Sequence, residues 1–234
     1  TGLDLDFNFE SIGFDMAEID VLLDRPEVSA ADPADETEEP DMETPPLTRL
    51  GDTWILGDHR IRCGNALKLD DFHHLMGGDS AQLVVTDAPY NVRIAGNVSG
   101  LGKSVHGEFA MASGEMSSAE FTRFLADVFG HIARYSVSGA IVMAFMDWRH
   151  MSEMLEAGQT AFTELLNLCV WVKTNAGMGS LYRSQHELVF IFKSGKGRHV
   201  NNIELGKHGR YRTNAWSYAG ANTFSATREA DLAM

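Results

Sequence analysis

From residue 47 onward, short apolar runs alternate with segments whose apolar residues recur every three or four positions. The runs at 53–56 and 60–63 flank Gly57 and Asp58, a pair typical of tight turns, and they predict a β-hairpin. The segment 66–76 has helical spacing and is followed by two glycines, which predicts a helix that ends there.

The next part of the chain alternates strands with helices. The apolar run 82–86 predicts a buried strand, and Ser117 with Glu120 forms a capping-box pattern that opens a helix ending near residue 134. Further apolar runs predict strands at 140–146, 167–173 and 187–193, with a helix at 148–157. This alternation is typical of an α/β fold with a mostly parallel sheet.

The N-terminal segment differs from the rest of the chain in charge. Residues 1–46 hold 15 Asp and Glu and one basic residue, Arg25, whereas the remainder is neutral with 18 acidic and 18 basic residues. We interpret 27–47 as a disordered acidic linker, with a solvated loop inside one domain as the alternative. Residues 1–26 are then the tail of an upstream domain, and 48–234 form the folded body.

Composition excludes several classes of protein. No run approaches the roughly eighteen apolar residues of a membrane span. The two cysteines, Cys63 and Cys169, are too few for a disulfide framework or a four-cysteine zinc site. The histidines lack metal-ligand spacing, so we expect no metal. These features predict a protein of the reducing cytoplasm.

Candidate chemistry follows the predicted strand 82–86, where Asp87, Ala88, Pro89 and Tyr90 leave the sheet. In open α/β sheets, ligands bind beyond the carboxyl ends of strands. A carboxylate, main-chain carbonyls on a stiff turn and an aromatic ring suit a site that holds a planar base by its exocyclic amine. The alternative is an ordinary strand-end turn.

Four segments in this order resemble the β-class DNA amino-methyltransferases. Asp87-Ala88-Pro89-Tyr90 resembles their Asp-Pro-Pro-Tyr motif, with Ala88 in place of the first proline. The other three are GDTWILGDHRIRCGNAL at 51–67, WVKTNAGMGSLYRSQHELVFIFKSGK at 171–196 and RTNAWSYAG at 212–220. Residues 1–26 and the linker resemble the end of a ParB-like domain of the kind that is fused to such methylases.

The resemblance implies a Rossmann-like fold, S-adenosylmethionine as cofactor and double-stranded DNA as substrate. Asp87 and the Ala88 carbonyl would hold the target amine, Tyr90 would stack on the flipped base, and Asn65 with Ala66 would lie near the cofactor adenine. An Asp-led motif favours adenine N6, with cytosine N4 as the alternative. The family's glycine-rich cofactor loop is not found in the chain, so we expect the fold to be incomplete at its C-terminal end.

Basic residues cluster in the last third of the chain. We expect DNA phosphate contacts from this cluster, with a solvated loop region as the alternative. The candidate DNA-binding residues are Arg183, Lys193, Lys196, Arg198, Arg210 and Arg212.

Two other functions remain open at this stage. The chain could be a noncatalytic DNA-binding remnant of a methylase, or a nucleotide hydrolase built on the P-loop-like segment GNVSGLGKS at 96–104. The latter has five residues between Gly96 and Gly102, where a P-loop has four between its glycines. The oligomeric state is also left open by the sequence, with a homodimer as one alternative.

Overall fold

A computed structural model describes residues 45–93, 110–173, 181–201, 203–207 and 211–218. The chain divides into two compact units, one formed by Thr44–Asn201 with Asn214–Met234 and the other by Thr1–Glu43 with Asn202–Thr213. The described part of the second unit is short, and in it Lys207 Nζ lies 3.6 Å from Glu204 Oε1. Most of the predicted acidic linker, the P-loop-like segment and Arg210 lie outside the described residues.

The first unit contains eleven described elements in chain order. They are β1 (Thr53–Leu56), β2 (His59–Arg62), α1 (Leu69–Met76), β3 (Ala81–Asp87), α2 (Ser118–Arg134), β4 (Ser136–Met146), a 3₁₀ turn (Trp148–His150), α3 (Met151–Ala161), β5 (Glu164–Lys173), β6 (His186–Ser194) and β7 (Ala215–Tyr218).

The predicted hairpin and first helix are confirmed. β1 and β2 pair antiparallel around Gly57, whose positive φ of 60° supplies the tight turn. α1 ends at Gly77 in the left-handed conformation, as the two glycines predict. The helix begins three residues later than expected, because the Asn65 side chain accepts from Leu67 N and holds the preceding residues in a turn.

The five-stranded sheet has the order β3-β4-β6-β5-β7. β3 is parallel to β4 and β5 is parallel to β7, whereas β6 is antiparallel to both of its neighbours. Four strands therefore run in one direction and the central β6 runs in the other. The α/β fold is confirmed with a mixed sheet, in which two of the four strand pairs are parallel. β7 stands at one end of the described strand order, and the sequence pattern does not predict it.

Both helices that follow β3 pack on one face of the sheet. Phe121, Leu125 and Phe129 of α2 and Met154 of α3 are fully buried, and they pack against Val142, Ala144, Phe190 and Phe192 of the sheet. The predicted capping box is present: Ser117 Oγ accepts from Glu120 N, and Glu120 Oε2 accepts from Ser117 N. This main core fixes the inner strands and thus the edge where they end.

The other face of the sheet carries a smaller cluster around Cys169, Val189 and Ile191. On β3, Leu83 and Val85 point to this second face and remain 56% and 61% exposed. We call the edge at which β3, β4, β5 and β7 end, and β6 begins, the carboxyl edge.

No helix in the described ranges is long and apolar enough to cross a membrane.

Candidate active site

Asp87 is the last residue of β3 and lies at the carboxyl edge. Its partner on β4 is Phe145, which packs on the smaller cluster of the second face. Paired residues of neighbouring strands point to the same face, so Asp87 also projects from the second face. Ala88, Pro89 and Tyr90 continue from the strand end and are half-buried. The four predicted catalytic residues therefore form one strand-end turn.

A network of side chains ties this turn to the centre of the sheet. Tyr90 Oη donates to Glu187 Oε2 over 3.0 Å, although the two residues are 97 positions apart in sequence. Glu187 faces Trp171 across the β5–β6 pair, and its other oxygen accepts from Lys173 Nζ. Lys173 Nζ also lies 5.1 Å from the centroid of the Trp171 ring, within range of a cation–π interaction.

The charges of this network act on Asp87. Partial burial raises the pKa of Asp87, and repulsion from Glu187 adds to that rise, while the Tyr90 hydroxyl and the Lys173 ammonium act in the opposite sense. Asp87 still retains an exposed surface through which a substrate can reach it. Burial first, and then the two carboxylates, raise the pKa of Tyr90 far above its ordinary value, so its hydroxyl stays protonated and acts as a donor.

Asn91, the residue that follows the predicted motif, is held in place by hydrogen bonds. Its side chain is 7% exposed, donates to Met116 O over 2.9 Å and accepts from Gly114 N at 3.1 Å and Met116 N at 3.2 Å. Its backbone has a positive φ of 52°, a conformation that asparagine tolerates better than most residues. Asn91 thus joins the strand-end turn to the loop that precedes α2.

The predicted cofactor-binding residues lie beside an open cavity of about 370 Å³. The Asn65 side-chain oxygen accepts from Leu67 N, and its main chain is bonded to Asp71 Oδ2 and Lys68 N, which leaves the side-chain NH₂ for a ligand. Ala66 is exposed, and its carbonyl lies 3.0 Å from His131 Nδ1. Met116, the residue held by Asn91, lines the cavity together with Leu67, Glu115, Glu120, Arg123, Phe124 and Asp127.

The cavity has the chemistry that the nucleoside part of S-adenosylmethionine requires. Leu67, Met116 and Phe124 offer apolar surface for an adenine ring. The Asp127 carboxylate has no hydrogen bond or ion pair within the described ranges and is available to ribose hydroxyls. No group of side chains that could hold a metal ion is found among the described residues.

The structure separates the predicted DNA-binding residues into different places. Arg183 is exposed and lies three residues before β6, at the carboxyl edge with Asp87. Lys193 lies at the far end of β6, where its Nζ is 2.6 Å from Glu164 Oε2. Lys196 and Arg198 are exposed and follow that end, beside the start of β4.

The remaining two candidates belong to the second unit. Arg212 is exposed, and Arg210 lies outside the described residues. Of the four candidates in the first unit, Arg183 alone lies at the same edge as Asp87, and phosphate contact by all six candidates remains a prediction.

Sequence reasoning did not place Lys173, Glu187 or Asn91 among the candidate site residues. Glu187 and Lys173 lie within the quoted segment 171–196, but their contact with Tyr90 depends on strand pairing that no local pattern reveals. Asn91 directly follows the motif, and that position is the only local signal for its role.

Comparison with known families gives two matches. The ParB-methyltransferase HTH domain matches residues 3–50, and the DNA methylase family N6_N4_Mtase matches residues 81–231. Among curated proteins the chain has no match. The boundaries expected for the upstream tail and the acidic linker stay a prediction, since the first match runs through both.

Several solved structures are similar to part of this chain. M1.HpyAVI is 15% identical to this chain with a TM-score of 0.40, and the match covers 62% of each of the two chains. The SAM complex of M1.HpyAVI is 12% identical with a TM-score of 0.40, and the match covers 64% of this chain and 61% of the other. The cytosine-N4-specific PvuII DNA methyltransferase is 9% identical with a TM-score of 0.41, covering 63% of this chain and 55% of the other. This chain thus spans about three-fifths of the length of M1.HpyAVI.

The family match extends over more than half of the chain and includes the strand-end turn, the network around Glu187 and all of β7. It confirms the resemblance drawn from the four sequence segments, together with the Rossmann-like methyltransferase fold and the ParB-like upstream region. The chain therefore belongs to the N6/N4 DNA methylase family, whose cofactor is S-adenosylmethionine.

Proposed function

We propose that the chain is the catalytic part of a DNA amino-methyltransferase that acts on the N6 amine of adenine in double-stranded DNA. The observation that carries this proposal is the exposed Asp87 carboxylate at the carboxyl edge, followed by a half-buried turn and a tyrosine fixed through its hydroxyl. Adenine is preferred over cytosine because the motif begins with Asp. The target base must flip out of the duplex to enter the site, since its amine cannot be approached while the base is stacked in the duplex.

Asp87 and the Ala88 carbonyl hold the two hydrogens of the target amine. Within the described residues, no donor outside the sheet ladder reaches that carbonyl. Acceptance of both hydrogens makes the nitrogen more tetrahedral and directs its lone pair away from the ring, towards the methyl donor. The bound cofactor supplies an activated methyl group on a sulfonium centre. The raised pKa of Asp87 also suits this carboxylate to receive the proton that the methylated amine must lose.

Tyr90 offers its ring to the face of the flipped base. The hydrogen bond to Glu187 limits rotation of the ring, so little entropy is lost when a base stacks on it. The cavity beside Ala66 holds the nucleoside part of the cofactor, and Met116 and Asn91 connect that cavity to the turn that carries Asp87.

Mass spectrometry of nucleosides tests the proposal. Unmethylated DNA incubated with S-adenosylmethionine and the chain, extended by the glycine-rich loop expected of the family, should yield N6-methyladenine. Asp87→Asn in the same form should reduce the yield at least about a hundredfold. N4-methylcytosine in place of N6-methyladenine would refute the choice of base. DNA binding without methylation, and without stabilisation by S-adenosylhomocysteine, would instead show a noncatalytic DNA-binding protein.

A further inference from the structure

We infer that Glu187 is a positioning residue of the active site, which orients the Tyr90 ring and, together with Lys173, sets the charge that Asp87 experiences. This inference rests on the proposed function and assigns it a residue outside the motif. Glu187 is half-buried at the start of β6, and its two oxygens serve different partners, Tyr90 Oη on one side and Lys173 Nζ on the other.

The location of the pair favours a role in the site over a purely structural one. β5 and β6 are already joined along their whole length by strand pairing, from Glu164 opposite Lys193 to Val172 opposite His186. An ion pair at the carboxyl edge adds little to that pairing, because both charges remain partly exposed to water, which weakens their attraction. What it adds is a fixed acceptor for the Tyr90 hydroxyl, 3.0 Å away.

The Tyr90 hydroxyl connects the two carboxylates. It donates to Glu187 and also interacts with Asp87, and as a neutral phenol it has a single proton to share between them. A negative charge on Glu187 therefore disfavours a second negative charge on Asp87, while the Lys173 ammonium limits that effect. Removal of either charge should change the affinity of Asp87 for protons, and the two changes have opposite signs.

Three variants separate these effects. Glu187→Gln keeps an acceptor for Tyr90 but removes the negative charge, and Lys173→Met removes the positive charge. The control is Glu164→Gln, which makes the same change in the other ion pair of the β5–β6 strands, where Glu164 contacts Lys193 at the opposite edge.

The first measurement is a ¹³C NMR titration of the Asp87 carboxyl, assigned with Asp87→Asn, and it requires no methylation. We expect the pKa of Asp87 to fall in Glu187→Gln, to rise in Lys173→Met and to stay unchanged in Glu164→Gln. A pKa that moves in the same direction in the first two variants, or in neither, would overturn the inference. If the opposite shifts appear in a protein that methylates no DNA, the charge coupling of Glu187 and Lys173 to Asp87 is established and the proposed function is what fails.

The second measurement tests the orientation of Tyr90 through a double-mutant cycle. Tyr90→Phe and Glu187→Leu both remove the hydrogen bond between the two side chains, so each should lower kcat/KM about tenfold. The double variant should lose clearly less than the product of the two losses, although Glu187→Leu also removes a charge near Asp87. Multiplied losses in the double variant, about a hundredfold in all, would show that Glu187 does not act through Tyr90. Far-ultraviolet circular dichroism on every variant confirms that the comparison is between folded proteins.

Discussion

Replacement of Asn91 tests how the strand-end turn is held. The side chain makes three hydrogen bonds with the loop before α2, and it is 7% exposed. Each bond is worth about 1 kcal/mol, and the left-handed backbone would cost alanine about 1 kcal/mol more. We therefore expect Asn91→Ala to lower the free energy of unfolding by about 4 kcal/mol.

Asn91→Gly provides the matched control. Glycine adopts a φ of 52° without strain but makes none of the three bonds, so its loss should be about 3 kcal/mol. Urea unfolding followed by circular dichroism measures both losses, provided that the slope of the transition stays constant. A loss below about 1 kcal/mol in Asn91→Ala would refute the reasoning, because three buried bonds would then contribute almost nothing.

The remaining predictions concern the scaffold and its pH dependence. A Cβ at Gly158 would lie 2.3 Å from Phe192 Cζ. Gly158→Ala should therefore destabilise the protein by about 1–3 kcal/mol, although alanine favours the helix more than glycine does. A higher urea midpoint for this variant would contradict the prediction. Ser117→Ala removes one half of the capping box with Glu120 and should cost about 1 kcal/mol, whereas Ser117→Thr should leave the thermal midpoint nearly unchanged. A main-chain donor and an arginine partner hold the pKa of Asp71 below its ordinary value of 3.8. The charged form of Asp71 therefore stabilises the fold above that pH, and this contribution is lost as the pH falls through the lowered pKa. Asp71→Asn should reduce the dependence of the unfolding midpoint on pH below about 4.

Local signals in the sequence were sufficient for most elements. The hairpin follows from Gly57, the end of α1 from Gly77 and the start of α2 from Ser117, because each of these residues acts within a few positions of itself. The direction of β6 and the existence of β7 could not be predicted in this way. Both depend on pairing with distant strands, and β7 has only four residues, mostly exposed.

The candidate site likewise combines a residue that local signals predict with a contact that depends on strand pairing. Asp87 could be predicted from its place after a buried strand, whereas the contact of Tyr90 with Glu187 requires the sheet register. Proximity in sequence does not give proximity in space for the basic residues. Arg183 and Lys196 are near each other in sequence, but the nine residues of β6 lie between them and separate them by roughly 27 Å at the usual rise per residue.

The central position of β6 also constrains the order in which a nascent chain can fold. β4 and β5 lie on either side of β6 and have no direct pairing with each other. During synthesis, the first half of the sheet can therefore form only the β3–β4 pair, and β5 must wait until His186–Ser194 leaves the ribosome exit tunnel. In that interval the apolar side chains of α2 lack the β6 surface of Phe190 and Phe192, so apolar surface that is buried in the folded protein stays open to water and to association with other chains.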